Sequence, residues 1–253
     1  MGRLRYNLSR KPEIWLVGPV YDRSFTLEMT SSIAKQITHI RQELPTEVRL
    51  IAVSKQVSVD AMREAYSAGV RDFGESQIQE AAAKQACLAD LPDINWHLIG
   101  HLQSNKVKKA LEIFTWIHSC DSLALAQRLN RLASELSLKP NVCLQVKIVP
   151  DPHKYGWTIP ELLADLPELD RCDMLQIKGL MTILPLGLSE AESLAVFEGA
   201  RNLSLQIQAQ NWLNLNMEEL SMGMSGDYHL AVRAGATMVR LGHVIFGDRL
   251  PVK

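Results

Sequence analysis

The sequence predicts an α/β protein in which eight parallel strands close into a single (β/α)8 TIM barrel, with one helix before the first strand. Short apolar runs alternate strictly with stretches of helical periodicity from residue 49 onward, which is typical of a parallel sheet covered by helices. Eight such runs occur with no long stretch left over, which favours a closed barrel over an open doubly wound sheet. The length of 253 residues also suits one barrel domain.

The predicted elements follow in chain order. Before the first strand, Ile33, Ile37, Ile40 and Leu44 recur at helical spacing and predict the N-terminal helix. The eight predicted strands cover residues 49–54, 71–74, 95–100, 115–118, 142–148, 175–182, 219–222 and 236–241. The helices between them are predicted near residues 58–68, 77–89, 103–112, 122–137, 160–167, 189–209 and 227–234.

Residues 1–28 differ from the rest of the chain. They are rich in arginine, and their apolar run at residues 14–20 is interrupted by Gly18 and Pro19. This run is too short for a signal peptide or a membrane-spanning helix. We therefore expect residues 1–28 to be an N-terminal extension outside the core and residues 29–253 to form the barrel domain.

Composition excludes several classes of function. The 27 Lys and Arg residues balance 28 Asp and Glu residues, and the net charge of -1 gives no general attraction for nucleic acid or an anionic membrane. The four cysteines form no CxxC or Cys/His ligand pattern, so we expect no disulfide framework and no metal site. A reducing cytoplasmic location is the simplest setting for such a chain.

The first strand carries the main candidate for chemistry. In the stretch RLIAVSKQ, alternation places Ile51, Val53 and Lys55 on one face. An ammonium at the rim of an apolar cavity has a lowered pKa, and its neutral amine can attack a carbonyl, as in a Schiff-base lysine. The alternative is a strand that ends at the surface with its lysine in water.

A second candidate lies after the last two strands. Ser225 and Gly226 precede the helix predicted near Asp227, and Gly242 and His243 open a short apolar turn. Two helix starts that face one another can bind an anion, such as a phosphate, through backbone N–H groups and a hydroxyl. The alternative is that Ser225 is an ordinary N-cap of its helix.

Arg240 is the third candidate. It shares a strand face with Met238 and Gly242, so it is directed into the barrel mouth, where a guanidinium needs an acceptor. That acceptor is either a ligand atom such as a ring nitrogen or, alternatively, the carboxylate of Glu75 or Asp227. By contrast, His97 and His118 lie within apolar strands, and we expect core histidines with satisfied ring nitrogens.

These three candidates fit one cofactor, because pyridoxal 5'-phosphate (PLP) has an aldehyde, a phosphate and a pyridine nitrogen. The stretches IAVSK, FGE, WHLIGHLQSNK, GLMTI, LSMGMSGD and TMVRLGHVIFG occur in this order. They resemble the motifs of the YggS/PROSC pyridoxal-phosphate homeostasis proteins. The resemblance extends over about residues 29–249 and is therefore specific.

The resemblance implies a barrel of PLP fold-type III, similar to the N-terminal domain of alanine racemase. It implies that Lys55 holds PLP as a Schiff base, that Arg240 faces the pyridine nitrogen and that Ser225, Gly242 and His243 bind the phosphate. Ser76 and Met222 complete the expected cofactor-binding set. Two positions depart from the family pattern, because the family usually has Ser or Thr in place of His243 and Asn in place of Ser76.

The resemblance also implies a function in intracellular PLP (vitamin B6) homeostasis and delivery without established catalysis, with apo-PLP enzymes as recipients. The alternative is a PLP-dependent amino-acid racemase or lyase of the alanine racemase fold. Racemases of this fold take a tyrosine base from a second domain, and we expect none here because the chain ends at Lys253. A third hypothesis is a class I aldolase in which Lys55 attacks the substrate. We expect a monomer without nucleic-acid, metal or membrane partners.

Overall fold

The structure is a computed structural model that describes residues 32–247. The predicted extension of residues 1–28 lies outside the described residues, as do residues 29–31 and 248–253. The strands are β1 (Arg49–Val53), β2 (Asp72–Glu75), β3 (Asn95–Leu98), β4 (Trp116–Cys120), β5 (Asn141–Lys147), β6 (Trp157–Thr158), β7 (Gln176–Met181), β8 (Leu215–Ser221) and β9 (Met238–Leu241). The helices are α1 (Ser32–Glu43), α2 (Val59–Ser67), α3 (Ile78–Cys87), α4 (Val107–Ile113), α5 (Leu123–Leu136), α6 (Ile159–Leu169), α7 (Glu190–Gln208), α8 (Tyr228–Arg233) and α9 (His243–Phe246).

Eight of these strands close into a parallel barrel. Their order is β4-β3-β2-β1-β9-β8-β7-β5, and pairing of β4 with β5 completes the ring. The two-residue strand β6 pairs with the end of β5 outside this ring. The predicted (β/α)8 barrel with a helix before its first strand is therefore confirmed.

The differences from the predicted elements are local. β8 starts at Leu215 rather than near residue 219, because the polar residues of NLNMEEL hide the strand pattern. The helix predicted at residues 103–112 is divided into a 3-10 turn at Ser104–Lys106 and α4. β6 and α9 were not predicted as elements, because two and four residues are too short to show a period.

The strands separate two apolar layers. Outward-facing residues such as Ala52, Phe73 and Leu144 pack against the helices in the larger core. A smaller core lies inside the barrel and contains Ile51, Trp116, Cys143, Met181 and Met238. The interior also holds buried polar side chains, and these lead towards the carboxyl ends of the strands.

Helices α2 and α8 end in the same way before the next strand. Gly69 and Gly235 follow them with φ of +92° and +98°, in the left-handed region that glycine adopts without strain. Their N–H groups donate to the carbonyls of Tyr66 and Val232. Each glycine therefore allows a short connection to the strand.

Three expected absences can be examined within residues 32–247. No helix there is sufficiently long and apolar to span a bilayer. The four cysteines form no disulfide, and no three His, Cys, Asp or Glu side chains of this range are grouped as ligands for a metal ion.

Candidate functional site

The residues predicted to bind a cofactor lie near the carboxyl ends of four strands. These strands, β2, β1, β9 and β8, are consecutive neighbours in the barrel. Arg240 lies within β9, whereas the other six residues follow strand ends: Lys55 after β1, Ser76 after β2, Met222 and Ser225 after β8, and Gly242 and His243 after β9. Because parallel strands end at the same rim, one arc of the barrel mouth carries the whole set.

Lys55 lies in the turn that follows β1 and is half-buried. The backbone is held on both sides of it. The carbonyl oxygen of Ser54 accepts a hydrogen bond from Lys84 Nζ (2.5 Å), and the N–H of Gln56 donates to Glu80 Oε1 (2.6 Å). Gln56 also has a left-handed φ of 59°, which few side chains adopt without support. Two residues of α3 therefore fix the turn that presents Lys55.

The same two residues belong to a buried cluster behind the turn. Glu75 Oε1 accepts hydrogen bonds from Ser54 Oγ (2.7 Å) and Lys84 Nζ (2.8 Å), and Lys84 also forms an ion pair with Glu80 (2.7 Å). We call Ser54, Glu75, Glu80 and Lys84 the outer network. Glu75 Oε2 has no hydrogen-bond partner among the described residues. Burial raises the pKa of Glu75, although the bonds from Lys84 and Ser54 oppose this shift.

Arg240 is 4% exposed and points into the barrel. Its Nη1 donates to Ser221 Oγ (2.7 Å) and its Nη2 to the carbonyl oxygen of Thr182 (3.0 Å). The alternative prediction of an ion pair with Glu75 or Asp227 is wrong, because no carboxylate of residues 32–247 lies within ion-pair distance of Arg240. Burial lowers the pKa of Arg240 to about 10, so its guanidinium is still charged at neutral pH.

The loops that follow β8 and β9 contact each other. Ser225 Oγ accepts a hydrogen bond from the N–H of Gly242 at 3.4 Å. The N-cap residue of α8 is Asp227, whose carboxylate accepts a hydrogen bond from the N–H of Met224 (2.7 Å). The alternative prediction of Ser225 as the N-cap is therefore wrong. The space beside Gly226 is open, since an added Cβ would meet no atom within 4 Å.

The other three predicted residues differ in their surroundings. Met222 is 1% exposed, and its side chain packs in the larger core, while its N–H donates to the carbonyl of Met238 (3.1 Å). Ser76 is half-buried, and a Cβ at Gly100 would lie only 2.3 Å from its carbonyl oxygen. His243 is exposed at the start of α9. Met222 can therefore support the loop only through its backbone and its packing.

The barrel interior contains a run of hydrogen bonds that the sequence did not predict. Asp72 Oδ1 lies 2.9 Å from His97 Nε2, and His97 Nδ1 lies 2.9 Å from His118 Nε2. His118 Nδ1 then lies 2.8 Å from Ser221 Oγ, which accepts the bond from Arg240. We call these five residues the interior chain. The prediction that both histidines are buried with satisfied ring nitrogens is confirmed.

The electrostatics of the interior chain follow from its burial. Both imidazoles are completely buried. Burial lowers the pKa of His97, and burial together with His97 and Arg240 holds the pKa of His118 well below its usual value of 6.5. Both rings are therefore neutral at pH 7. The sequence signal was limited to two histidines at interior-facing strand positions, because their partners lie on other strands.

Known proteins resemble this chain over most of its length. The sequence model of the alanine racemase N-terminal domain family matches residues 30–250. The pyridoxal phosphate homeostasis protein of Synechocystis sp. (strain ATCC 27184 / PCC 6803 / Kazusa) is 54% identical over 207 residues, which cover 82% of this chain and 94% of that protein.

Solved structures show the same similarity. PipY of Synechococcus elongatus PCC7942, solved with PLP bound, is 53% identical with a TM-score of 0.82, and the match covers 85% of this chain and 100% of PipY. An alanine racemase of Clostridium difficile 630 has a TM-score of 0.69 at 14% identity, covering 87% of this chain and 57% of the racemase, and thus shares the fold. This protein belongs to the alanine racemase N-terminal domain family and, within it, to the pyridoxal phosphate homeostasis proteins.

Proposed function

We propose that this protein binds pyridoxal 5'-phosphate and serves intracellular vitamin B6 homeostasis. The observation that carries the proposal is the placement of Lys55, Arg240 and the Ser225–Gly242 contact on the neighbouring strand ends of β1, β9 and β8. An amine, a charged donor and a polar loop pair match the aldehyde, the ring nitrogen and the phosphate of one molecule. The name of the Synechocystis relative and the PLP bound to PipY support the same cofactor.

The surroundings of Arg240 fit a neutral ring nitrogen. A guanidinium has five N–H groups and no acceptor. Nη1 and Nη2 of Arg240 donate to two neutral oxygens, the hydroxyl of Ser221 and the carbonyl of Thr182. No nitrogen of Arg240 donates to a carboxylate of the described residues. Its other N–H groups can therefore donate to a ligand acceptor. A pyridine nitrogen that accepts from arginine stays unprotonated, because arginine gives up its proton only at a high pH.

Lys55 and the two loops would hold the other groups of the cofactor. The ε-amino nitrogen of Lys55 would form a C=N bond with the aldehyde carbon, and the aldehyde oxygen would leave as water. We propose that Ser225 Oγ and the backbone N–H groups of Gly242 and His243 bind the phosphate. The Ser225–Gly242 distance of 3.4 Å is long for a hydrogen bond, so a phosphate oxygen could replace it at small cost. Ser76 would line the same rim.

We propose that the protein carries its cofactor rather than using it in a catalytic cycle. Bound PLP supplies an electron sink for amino-acid chemistry, and this sink is weakened when the ring nitrogen is unprotonated. The proposed partner, Arg240, keeps it so. This supports a non-catalytic carrier. We further propose that the carrier is a cytoplasmic monomer with apo-PLP enzymes as recipients. The racemase alternative has the support of the fold, and fold alone does not determine function.

The test is covalent labelling of Lys55. We expect the purified protein with PLP to show a near-visible absorbance band that borohydride removes, and mass spectrometry to find the pyridoxyl group on Lys55. Lys55→Ala should lose the band and keep its far-ultraviolet circular dichroism, because Lys55 lies in a turn and not in the packed core. The matched control Lys109→Ala, at an exposed helix position, should keep both signals.

Three results would contradict the proposal. A label on a different lysine would remove Lys55 from its proposed place. Racemisation of free alanine at an enzymatic rate would instead favour the racemase alternative. A wild-type protein that formed no borohydride-sensitive band with PLP would leave the aldolase hypothesis as the better account of Lys55.

A further inference from the structure

The interior chain is directional, and its two ends set the same direction. A carboxylate only accepts hydrogen bonds, so the His97 Nε2 that faces Asp72 must carry a proton. A neutral imidazole has one donor and one acceptor, so His97 Nδ1 accepts from His118 Nε2, and His118 Nδ1 accepts from the hydroxyl of Ser221. At the other end, arginine only donates, so the Ser221 oxygen accepts from Arg240.

The direction of the hydrogen bonds requires that both imidazole rings are neutral and inaccessible to water. His97 and His118 are completely buried, and Ser221 is 0% exposed. The same burial lowers the pKa of both imidazoles, which keeps one proton on each ring. Other charged groups near these rings are Arg49 and Glu219, which form an ion pair with each other at 3.4 Å. They lie beside the chain and do not interrupt it.

The carboxylate is what makes this direction unique. Without an acceptor at position 72, His97 could carry its proton on Nδ1 and donate to His118, which would then donate to Ser221. The oxygen of Ser221 would receive two donors, from His118 and Arg240, and its own O–H would have to turn elsewhere. The geometry beside Arg240 would then be set by two tautomers rather than one.

From this arrangement we propose that Asp72 is a positioning residue for Arg240, acting through His97, His118 and Ser221. The inference deepens the proposed function, because it concerns the arginine that we assign to the PLP ring nitrogen. A carboxylate in direct contact would occupy the N–H groups of Arg240. A remote carboxylate at the half-buried start of β2 orders the guanidinium and leaves those groups available.

The interior chain also connects the buried guanidinium of Arg240 to a compensating charge, the carboxylate of Asp72. The guanidinium of Arg240 has no carboxylate partner among the described residues, and an isolated buried charge is costly. Aligned hydrogen bonds polarise one another, so four of them in one direction carry part of the effect of Asp72 to Arg240. Breaking the interior chain should therefore weaken ligand binding and disturb the contact between Arg240 and the ligand ring, and not only alter the packing.

The test uses Asp72→Leu, which removes the acceptor, and Asp93→Asn as the control. Asp93 also accepts hydrogen bonds near the amino-terminal ends of the strands, from Arg71 and Tyr66, but has no contact with the interior chain. The first measurement is the nitrogen-15 chemical shifts of the His97 and His118 rings in cofactor-free full-length protein. We expect Nε2–H tautomers for both rings in the wild type and the control, and a mixture in Asp72→Leu.

The second measurement is the PLP dissociation constant and the position of the near-visible band. We expect Asp72→Leu to bind PLP about tenfold more weakly, as expected for loss of one buried hydrogen-bond partner. The band should also move to a different wavelength. Unchanged tautomers, or unchanged affinity and band, would overturn the proposal, since a positioning role requires both to change.

Two other outcomes must be distinguished from a failure of this proposal: a failure of the proposed function and a failure of Asp72→Leu to fold. If the wild type formed no adduct with PLP, the proposed function would fail, while the ring tautomers would still decide whether Asp72 orders the chain. If Asp72→Leu did not fold, Asp72→Asn would be measured instead. It keeps an acceptor oxygen but loses the charge, so we expect a smaller loss of affinity, about threefold. If Asp72→Asn bound PLP with the same affinity as the wild type, the proposed role of the Asp72 charge would be overturned.

Discussion

Two groups of buried polar residues lie on opposite faces of the barrel wall, and β2 contributes one residue to each, Glu75 to the outer network and Asp72 to the interior chain. The outer network joins β1 and β2 to α3 through direct contacts between Glu75, Lys84 and Glu80. The interior chain places neutral histidine and serine side chains between two charges, Asp72 and Arg240. The first arrangement fixes a backbone turn, whereas the second orients one side chain and leaves its donors available. The same barrel thus uses charge contact for rigidity and neutral hydrogen bonds for ligand recognition.

This difference predicts different costs for disruption. Removing one partner of a buried ion pair leaves an uncompensated charge, which costs about 3–5 kcal/mol. Removing one neutral hydrogen-bond partner costs about 1–3 kcal/mol. Substitutions in the outer network should therefore lower mainly the free energy of unfolding. Substitutions in the interior chain should lower mainly the affinity for PLP.

The largest effect is expected for Lys84→Met. Lys84 is 6% exposed, and its removal leaves Glu75 buried with only Ser54 as a partner. We expect urea denaturation to show a free energy of unfolding lower by about 3–5 kcal/mol. The control Lys109→Met breaks an exposed ion pair with Glu112 and should cost about 0.5 kcal/mol or less. Equal costs for the two variants would mean that the buried ion pair of the outer network stabilises the fold no more than an exposed ion pair does.

The two regions also respond to pH with opposite sign. The pKa of Glu75 is raised by burial above its usual value of 4.5, so its contribution to stability is present at low pH and is lost as the pH rises through the folded-state pKa. The pKa values of His97 and His118 are lowered below 6.5. Their contribution is present above pH 6.5 and is lost as the pH falls towards the folded-state values.

The second prediction tests the histidine part of this contrast. Between pH 6.5 and 5.5 each buried neutral histidine should reduce the free energy of unfolding by up to about 1.4 kcal/mol. We expect His97→Gln to be less stable than the wild type at pH 7.5 and to show a shallower decline over this interval. Urea titrations at several pH values give both slopes. Parallel slopes would mean that the pKa of His97 is the same in the folded and unfolded states, and therefore that burial does not lower it.

The sequence predicted the parts of this molecule that depend on a repeating pattern. Alternation along β1 and β9 placed Lys55 and Arg240 on the interior-facing side, and the positions of Ile51 and Met238 in the interior core agree with this. Strict strand and helix alternation predicted the barrel. These features are local, because a period of two or of 3.6 residues is visible in one short stretch.

The contacts between distant residues could not be predicted in this way. His118 meets Ser221 over a separation of 103 residues, and no period relates the two positions. Lys84 follows three alanines in a helix and has the sequence character of a solvent-exposed residue. It is buried because Glu75 points outward from β2 towards α3, away from the barrel mouth and from Arg240. The partners of buried charges therefore require the fold.

The smallest effect is expected at the rim of the outer network. Glu80→Gln keeps an acceptor oxygen for the N–H of Gln56 and for Lys84 Nζ, and its side chain is 24% exposed, so we expect a loss of stability of about 1 kcal/mol or less. Glu80→Ala removes both bonds and should free the turn that presents Lys55. Stopped-flow absorbance after mixing with PLP should then show slower appearance of the near-visible band in the alanine variant than in the glutamine variant. If the two variants formed the band at the same rate, the hydrogen bond to Gln56 would have no part in presenting Lys55, and the outer network would contribute stability alone.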